Sequence, residues 1–216
     1  MPRIECALCG AFSQQTEVGA VEPAGPPDLD TRPGEPLRST VADWMQLCPY
    51  CGYASPDISY AAEGAAALAA SPECKALESR FLRHAWLLEQ MGHYADAGWT
   101  ALHGAWLADD LGQAESAAAS RRRALELWQR GKQSGQAFLD DLAHEFAVVC
   151  DLLRRLSQFD EARATCLAGL QEEPLPAVLE DILRLQLSLI QRRDTAAHNL
   201  DELPQRPSGA TPVTLQ

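Results

Sequence analysis

Two cysteine pairs, Cys6 and Cys9 in "CALCG" and Cys48 and Cys51 in "CPYCG", constrain this chain more than any other feature. Each pair is followed at once by a glycine, Gly10 and Gly52. This is the pattern of a metal knuckle. The chain turns tightly so that both sulfurs and nearby backbone N–H groups face one ion, and glycine takes a φ that other residues resist. Zinc suits four thiolates because it needs only a tetrahedron. Cys6, Cys9, Cys48 and Cys51 are therefore expected to hold one Zn²⁺. With all four positions filled by sulfur, the ion is expected to be structural rather than catalytic. The bland alternative, idle thiols, leaves the matched glycines unexplained.

The gap between the pairs is long for a compact ribbon and contains a loop rich in Pro, Gly and Asp, "VEPAGPPDLDTRPGEP". Short strands are expected on either side of it, near Ala11–Val18 and Ser39–Gln46. Residues 1–56 read as a zinc-ribbon-like module whose metal replaces a core that such a sequence cannot build. Cys48→Ser is expected to unfold that module and leave the helical remainder folded.

Seven cysteines in a secreted chain would leave one unpaired, whereas CxxC spacing in a reducing compartment points to metal. The N-terminus lacks the blocks of a signal peptide, and no run reaches the roughly 18 apolar residues of a membrane span. A cytoplasmic protein without membrane contact is the expectation. The net charge of −12 repels phosphate backbones and anionic membranes. Within residues 1–56 three arginines face seven carboxylates, a balance of −4, and four thiolates around Zn²⁺ add about −2.

Beyond Ile58 the chain reads as helical. Alanine dominates its apolar fraction and β-branched residues are scarce. Ser71 is a plausible N-cap with Pro72 behind it, and Phe81, Ala85, Leu88 and Met91 follow at helical spacing. "MGHYADA" (Met91 to Ala97) and "LSQFDEA" (Leu156 to Ala162) then share one pattern. It is the inter-helix turn of a tetratricopeptide-like repeat, in which Tyr94 or Phe159 plugs the junction of two antiparallel helices and Ala97 or Ala162 lets their backbones approach. Phe146, Val149, Cys150 and Leu153 are expected to form the inner stripe of one helix, continued by Cys166 and Gly169, with Pro174 ending the unit. Gly98 and Gly104 weaken the first copy. The stretch between the two turns is either a degenerate middle unit or a long helix. A last helix, Ala177–Arg193, carries Leu or Ile on nearly every side. One face needs cover from the N-terminal module, a second subunit or a partner, which makes a homo-oligomer through this helix an option. The fold class is thus mainly α: tetratricopeptide-like antiparallel hairpins over residues 57–200, with a small N-terminal zinc-ribbon or knuckle module. Residues 201–216 are expected to form a disordered tail.

The combination "CALCG … LCPYCGYAS … FLRHAWLLEQMGHY" resembles a bacterial family known as domain of unknown function 2225, over Cys6 to about Leu170. Its members pair a CxxC…CPxCGYA start with helices of tetratricopeptide type, and Cys6, Cys9, Cys48 and Cys51 fall on the family's cysteine positions. The long proline loop and the alanine-rich segment at residues 61–70 depart from shorter, more basic members. The resemblance implies metal binding and helical repeats, not a reaction.

Catalytic constellations fail on inspection. His144-Glu145 begins like HExxH, but Val148 stands where the second histidine belongs. No phosphate-binding GxxxxGK[ST] and no GxSxG is found. His84, His93 and His103 do not share one helical face, although a turn at Gly92 brings two of them within reach of each other. Cys74 lies in the first turn of a helix, where the dipole lowers a thiol pKa, against the opposing charge of Glu73. Cys150 and Cys166 read as small core residues. Arg121, Arg122 and Arg123, with Arg130 and Lys132, form the one dense positive run: a solvated helix face, or a site for an acidic partner. The expected function is a non-catalytic, zinc-stabilised adaptor or scaffold that binds an unidentified protein. A nucleic-acid-associated regulator using the ribbon and Arg121–Arg123 is the alternative, which the −12 charge opposes.

Overall fold

The computed structural model describes residues 1–204; most of the expected tail, from residue 205 on, lies outside the described residues. The chain is mainly helical. Strands β1 (Arg3–Glu5) and β2 (Phe12–Gln14) form one antiparallel hairpin, and β3 (Gln46–Leu47) and β4 (Ala54–Ser55) a second. Short helices α1 (Ala65–Ala69) and α2 (Pro72–Ala76) lead into α3 (Arg80–Gln90), α4 (Tyr94–Asp110) and α5 (Ala114–Gln133). Helices α6 (Leu142–Arg155), α7 (Phe159–Gly169) and α8 (Ala177–Gln191) follow, and a 3-10 turn, Leu200–Glu202, occupies the start of the expected tail.

Two expectations for the N-terminal module are corrected. The first strand after the knuckle is shorter than Ala11–Val18, and most of Ser39–Gln46 is a 3-10 helix, Arg38–Trp44. Burial explains the second change. Val41, Trp44 and Met45 recur at helical spacing and pack on the helical core, with Val41 and Met45 buried. The Glu35 carboxylate accepts the Ser39 backbone N–H at 3.1 Å, and the Trp44 indole donates to the Thr40 hydroxyl at 2.8 Å. An i, i+4 side-chain pair of this kind has no equivalent in an extended strand.

The helices are joined by one turn used three times. Gly92, Gly112 and Ser157 all have positive φ, at 84°, 67° and 62°. Each is followed by a residue near φ −90°, ψ +65° (His93, Gln113, Gln158) that opens the next helix. The hydrogen bonds match as well: His93 N–H to Leu88 C=O, Gln113 to Ala108 and Gln158 to Leu153, at 2.8–2.9 Å. In each case the alanine four residues on (Ala97, Ala117, Ala162) is buried against the preceding helix. The stretch between the two recognised motifs therefore holds both a third copy of the turn, "LGQAESA", and a long helix, α5. Ala114 stands there in the aromatic's place.

Two helical glycines that look like weaknesses in the sequence are required by packing. A Cβ on Gly98 would be built into the indole of Trp128, which donates to Ala95 C=O at 3.2 Å and stacks on Phe138 with ring centroids 4.1 Å apart. A Cβ on Gly104 would press on Phe81 at 3.0 Å. Gly98→Ala should therefore destabilise the chain by about 3 kcal/mol despite alanine's better helix propensity, because overpacking outweighs propensity. Urea unfolding of the variant measures this; an unchanged or raised midpoint would refute it.

Helix α6 buries more of its surface than the expected stripe. Ala143, Ala147, Val148, Cys150 and Leu152 are buried, whereas Phe146, Val149 and Leu153 are half-buried at the edges. Gly169 of α7 lies so close that a Cβ there would meet the Phe146 Cβ at 2.8 Å. Helix α8 packs much of its apolar surface within this chain. Its Leu and Ile side chains are all buried or half-buried, packed with Leu29 of the proline loop and with Leu200 and Leu203. Of the covers expected for this helix, the N-terminal module thus supplies one, through Leu29.

The proline loop crosses the helices as a strap. Its base closes where Ala24 N–H donates to Glu35 C=O at 2.7 Å and Gly25 touches Gly34. Its far side pairs with the C-terminal segment, Leu29 N–H to His198 C=O at 2.9 Å and Leu200 N–H to Pro27 C=O at 3.1 Å. The buried Asp30 carboxylate accepts the Trp106 indole N–H at 2.8 Å.

Candidate metal centre

The two knuckles are built alike. Each cysteine pair begins on the residue after a strand: Cys6 follows β1 and Cys48 follows β3. Gly10 N–H donates to Cys6 C=O at 2.8 Å, and Gly52 N–H to Cys48 C=O at 2.9 Å. Cys6 N–H donates to Ala11 C=O and Cys48 N–H to Tyr53 C=O, at 3.0 and 2.8 Å. Gly10 and Gly52 have φ of +69° and +78°, the left-handed conformation that their place in the sequence implied.

All four Sγ atoms lie within 4.8 Å of one another, with Cys6 to Cys51 at 3.7 Å and Cys9 to Cys48 at 3.6 Å. A tetrahedron with metal–sulfur bonds of about 2.3 Å has edges of about 3.8 Å. The donor set thus fits a metal ion of zinc's size and geometry. Cys6 and Cys48 are buried, Cys51 is half-buried and Cys9 is exposed. Among the described residues this is the one cluster of His, Cys, Asp or Glu arranged to hold an ion.

The local electrostatics favour thiolates around a cation. Burial pushes the Cys48 thiol up, but the N–H groups of Cys51 and Tyr50, with the Cys51 and Cys9 thiols, outweigh it and bring Cys48 down to about 7. Burial raises Cys6 against the N–H groups of Cys9 and Leu8. Burial and the neighbouring thiols Cys48, Cys6 and Cys9 push Cys51 up to about 12. Cys48 thus ionises readily whereas Cys6 and Cys51 resist, and a cation between them would favour the thiolate form of both.

Residues that the sequence did not single out hold the knuckles in place. Gln15 joins the hairpins, its side-chain amide donating to Leu47 C=O at 3.0 Å. Ile58 closes the space between them: its N–H donates to the Gln46 side chain at 3.1 Å and its C=O accepts Ala7 N–H at 2.8 Å. Arg83 of α3 ties the second knuckle to the helices, donating to Gly52 C=O at 3.2 Å and Leu77 C=O at 2.6 Å. Cys6, Cys48, Tyr53 and Ile58 share an apolar cluster with Ala65, Ala69, Cys74 and Leu87, so the metal module and α1–α3 have one core in common.

The other candidates are placed elsewhere. Ser71 caps α2 and accepts Cys74 N–H at 3.2 Å, as the sequence suggested. Cys74 is nevertheless buried, and burial raises its pKa, which overturns the reactive-thiol reading. Cys150 and Cys166 are core residues that donate to backbone carbonyls. Tyr94 lies under the Arg130 guanidinium, 4.6 Å from its ring centre, and Phe159 lies likewise under Arg193; Ala97 and Ala162 fill the helix crossings. The arginine run is not one free positive face. Arg121 is buried against Asp109, Arg123 pairs with Glu89 and Glu126, and Arg130 pairs with Glu89. Lys132 reaches Glu145 at 2.7 Å, and Arg122 is exposed. Among the described residues only Arg122 of the five lacks an acidic partner.

The histidines do not converge on an ion. His84 Nδ1 lies 3.1 Å from Ala54 C=O. His103 sits among Trp44, Phe81, Trp99 and Trp106, with ring centroids 4.8–6.5 Å away. Burial there pushes His103 from its ordinary 6.5 down to about 4. Its neutral form contributes stability that is complete above pH 6.5 and is lost as the pH falls toward 4, where the unfolded chain binds the extra proton. His103→Phe should flatten the pH dependence of the unfolding free energy in that window. The difference between the two proteins cancels their common loss of thiolate ligands; equal slopes would refute the assignment.

Comparison with models of known families, with curated proteins and with solved structures finds no match to this chain.

Proposed function

We propose that this chain is a zinc-stabilised helical scaffold that binds a protein segment and performs no chemistry of its own. Four sulfurs complete a tetrahedral shell and leave no position for water or substrate, which supports a structural ion. Cys6, Cys9, Cys48 and Cys51 would hold the zinc, whose bonds would replace a hydrophobic core in the two hairpins. The same reading places the chain with domain of unknown function 2225, on the strength of the cysteine motifs and the helix that follows them.

The binding role rests on one observation. A groove of about 620 Å³ runs between the α2–α3 link and helices α4 and α5, lined by Leu77, Leu82, Leu107 and Leu111. Leu111 is 60% exposed there. A groove of this kind suits apolar anchors at helical spacing, and the chain's −12 charge favours a segment with basic flanks. The pairing of Arg121 with Asp109 and of Arg123 with Glu89 supports this reading over the nucleic-acid alternative.

Affinity capture with and without nuclease tests this, with Leu107→Glu/Leu111→Glu protein run in parallel. Proteins retained by the wild type after nuclease, lost with the groove variant and shown to bind it directly when purified are the expected result. Retention abolished by nuclease, or unaffected by the groove variant, would overturn it.

A further inference from the structure

We propose that the cavity beneath the proline strap binds a small, uncharged, mainly apolar molecule carrying a hydrogen-bond donor, which Asp28 receives. The cavity has a volume of about 430 Å³, within the range of roughly 300–1,000 Å³ typical of small-molecule sites. The strap forms one wall. Trp99 of α4, Ala147 of α6, Ile182 of α8 and Leu200 form the others. Such a space has few partners to offer ordered water.

The polar groups in these walls point to the ligand's chemistry. The Trp99 indole N–H is already spent on Phe138 C=O at 2.9 Å, so Trp99 brings an apolar ring to the wall. His144 also lines the cavity, and burial lowers its pKa, against the charge of Asp141. Asp28 is different. It is 7% exposed, its Oδ1 accepts Arg38 Nη1 at 2.9 Å, and its Oδ2 is buried with no hydrogen-bond partner. A buried carboxylate oxygen without a donor is costly and uncommon in folded proteins. Arg38 already balances the charge of Asp28, so a neutral N–H or O–H suits the vacant oxygen better than a second cation does.

The cavity is held open by the strap's own bonding. Asp28 N–H donates to Arg32 C=O at 2.8 Å and Thr31 N–H to Asp28 C=O at 2.9 Å, which fixes the tip. The base is closed at Gly25 and Gly34, and the outer edge is paired with residues 198–200. Gly25 and Gly34 are small because their backbones touch, a Cβ on Gly34 being built into the Gly25 backbone, and Ala147 adds a small side chain to the wall. The wall is therefore organised before any ligand arrives, which lowers the cost of binding. The site is separate from both the cysteine centre and the α4–α5 groove.

N-phenyl-1-naphthylamine is a suitable probe: it is apolar, has one N–H, and fluoresces in apolar surroundings. Titrated into the full-length, metal-loaded protein, it should bind saturably at one site and raise the thermal midpoint as its concentration rises. It should bind about tenfold tighter than 1-phenylnaphthalene, which lacks the N–H, and Asp28→Ala should abolish that preference. Ala147→Trp should fill the cavity and remove binding. If that variant fails to fold, Ala147→Leu and the shift of the Trp99 indole N–H resonance on titration carry the same test. Non-saturable fluorescence, a Trp99 resonance that does not move, or affinity unchanged in the folded plug variant would overturn the site. Equal affinity for the two probes would overturn the role of Asp28.

Discussion

Protein carrying Cys48→Ser should emerge from purification without metal and with its two N-terminal hairpins unfolded. Serine is nearly isosteric, so packing is barely altered; what is lost is one of four bonds to the ion. Structural zinc supplies roughly 10–16 kcal/mol of apparent folding free energy to small modules, more than the whole stability of many domains. The damage should also spread along the shared core. Cys6 and Cys48 pack with Ala65, Ala69 and Leu87, and Val41, Met45 and Ala54 belong to the core of α3–α5. Among the described residues the α6–α8 cluster reaches into the first 56 residues only through Leu29, and α6 meets the α3–α5 core along one edge, at Val148, Val149 and Leu152. Hydrogen exchange should therefore accelerate through residues 1–18 and 38–60, rise more moderately in α1–α3, and stay slow in α6–α8. This refines the expectation from sequence that the whole helical remainder is indifferent. Uniform protection in a metal-free variant would refute it.

Arg154→Leu should destabilise the chain by about 3–5 kcal/mol, the range for removing one partner of a buried ion pair. Arg154 is fully buried and pairs with Asp151 at 2.6 Å. It also donates to the Gln186 side chain at 2.9 Å and to the Asp194 and Ala196 carbonyls at 2.6 and 3.0 Å. One side chain thus joins α6, α8 and the segment after α8. Leucine would leave Asp151 in the core with one hydrogen bond, from the Gln186 amide at 3.1 Å, and no directly paired cation, only the more distant charge of Arg155. The double variant Arg154→Leu/Asp151→Leu should recover part of the loss, because no unpaired charge then remains. Denaturant unfolding of both proteins decides it, and a single variant as stable as the wild type would contradict the network. Metal content should stay the same, since the cysteines are elsewhere.

The cysteine centre was legible in the sequence because its signal is local: ligand spacing and a left-handed glycine both lie within five residues. The helices and the Tyr94 and Phe159 turns were legible for the same reason. The third turn escaped notice because Ala114 replaces the aromatic, although Leu111, Gly112 and Ala117 keep the pattern. The 3-10 helix at Arg38–Trp44 is mistaken for a strand because its apolar stripe, Val41, Trp44 and Met45, spans little more than one turn, too short for a period to stand out. Gly98 and Gly104 looked destabilising because the partners that need their missing side chains, Trp128 and Phe81, lie on other helices. The strap, the Arg154 network and the cavity depend on pairings between distant residues, such as Leu29 with His198, which no local pattern encodes.

The most direct measurement is the native mass of the intact chain beside that of Cys9→Ser. Cys9 is the exposed ligand, so its replacement disturbs the core least. A wild type carrying one zinc ion, and a variant that has lost it under the same conditions, is the expected result. A wild type purified without metal under reducing conditions, or a variant that keeps its zinc, would contradict a structural centre built from these four cysteines.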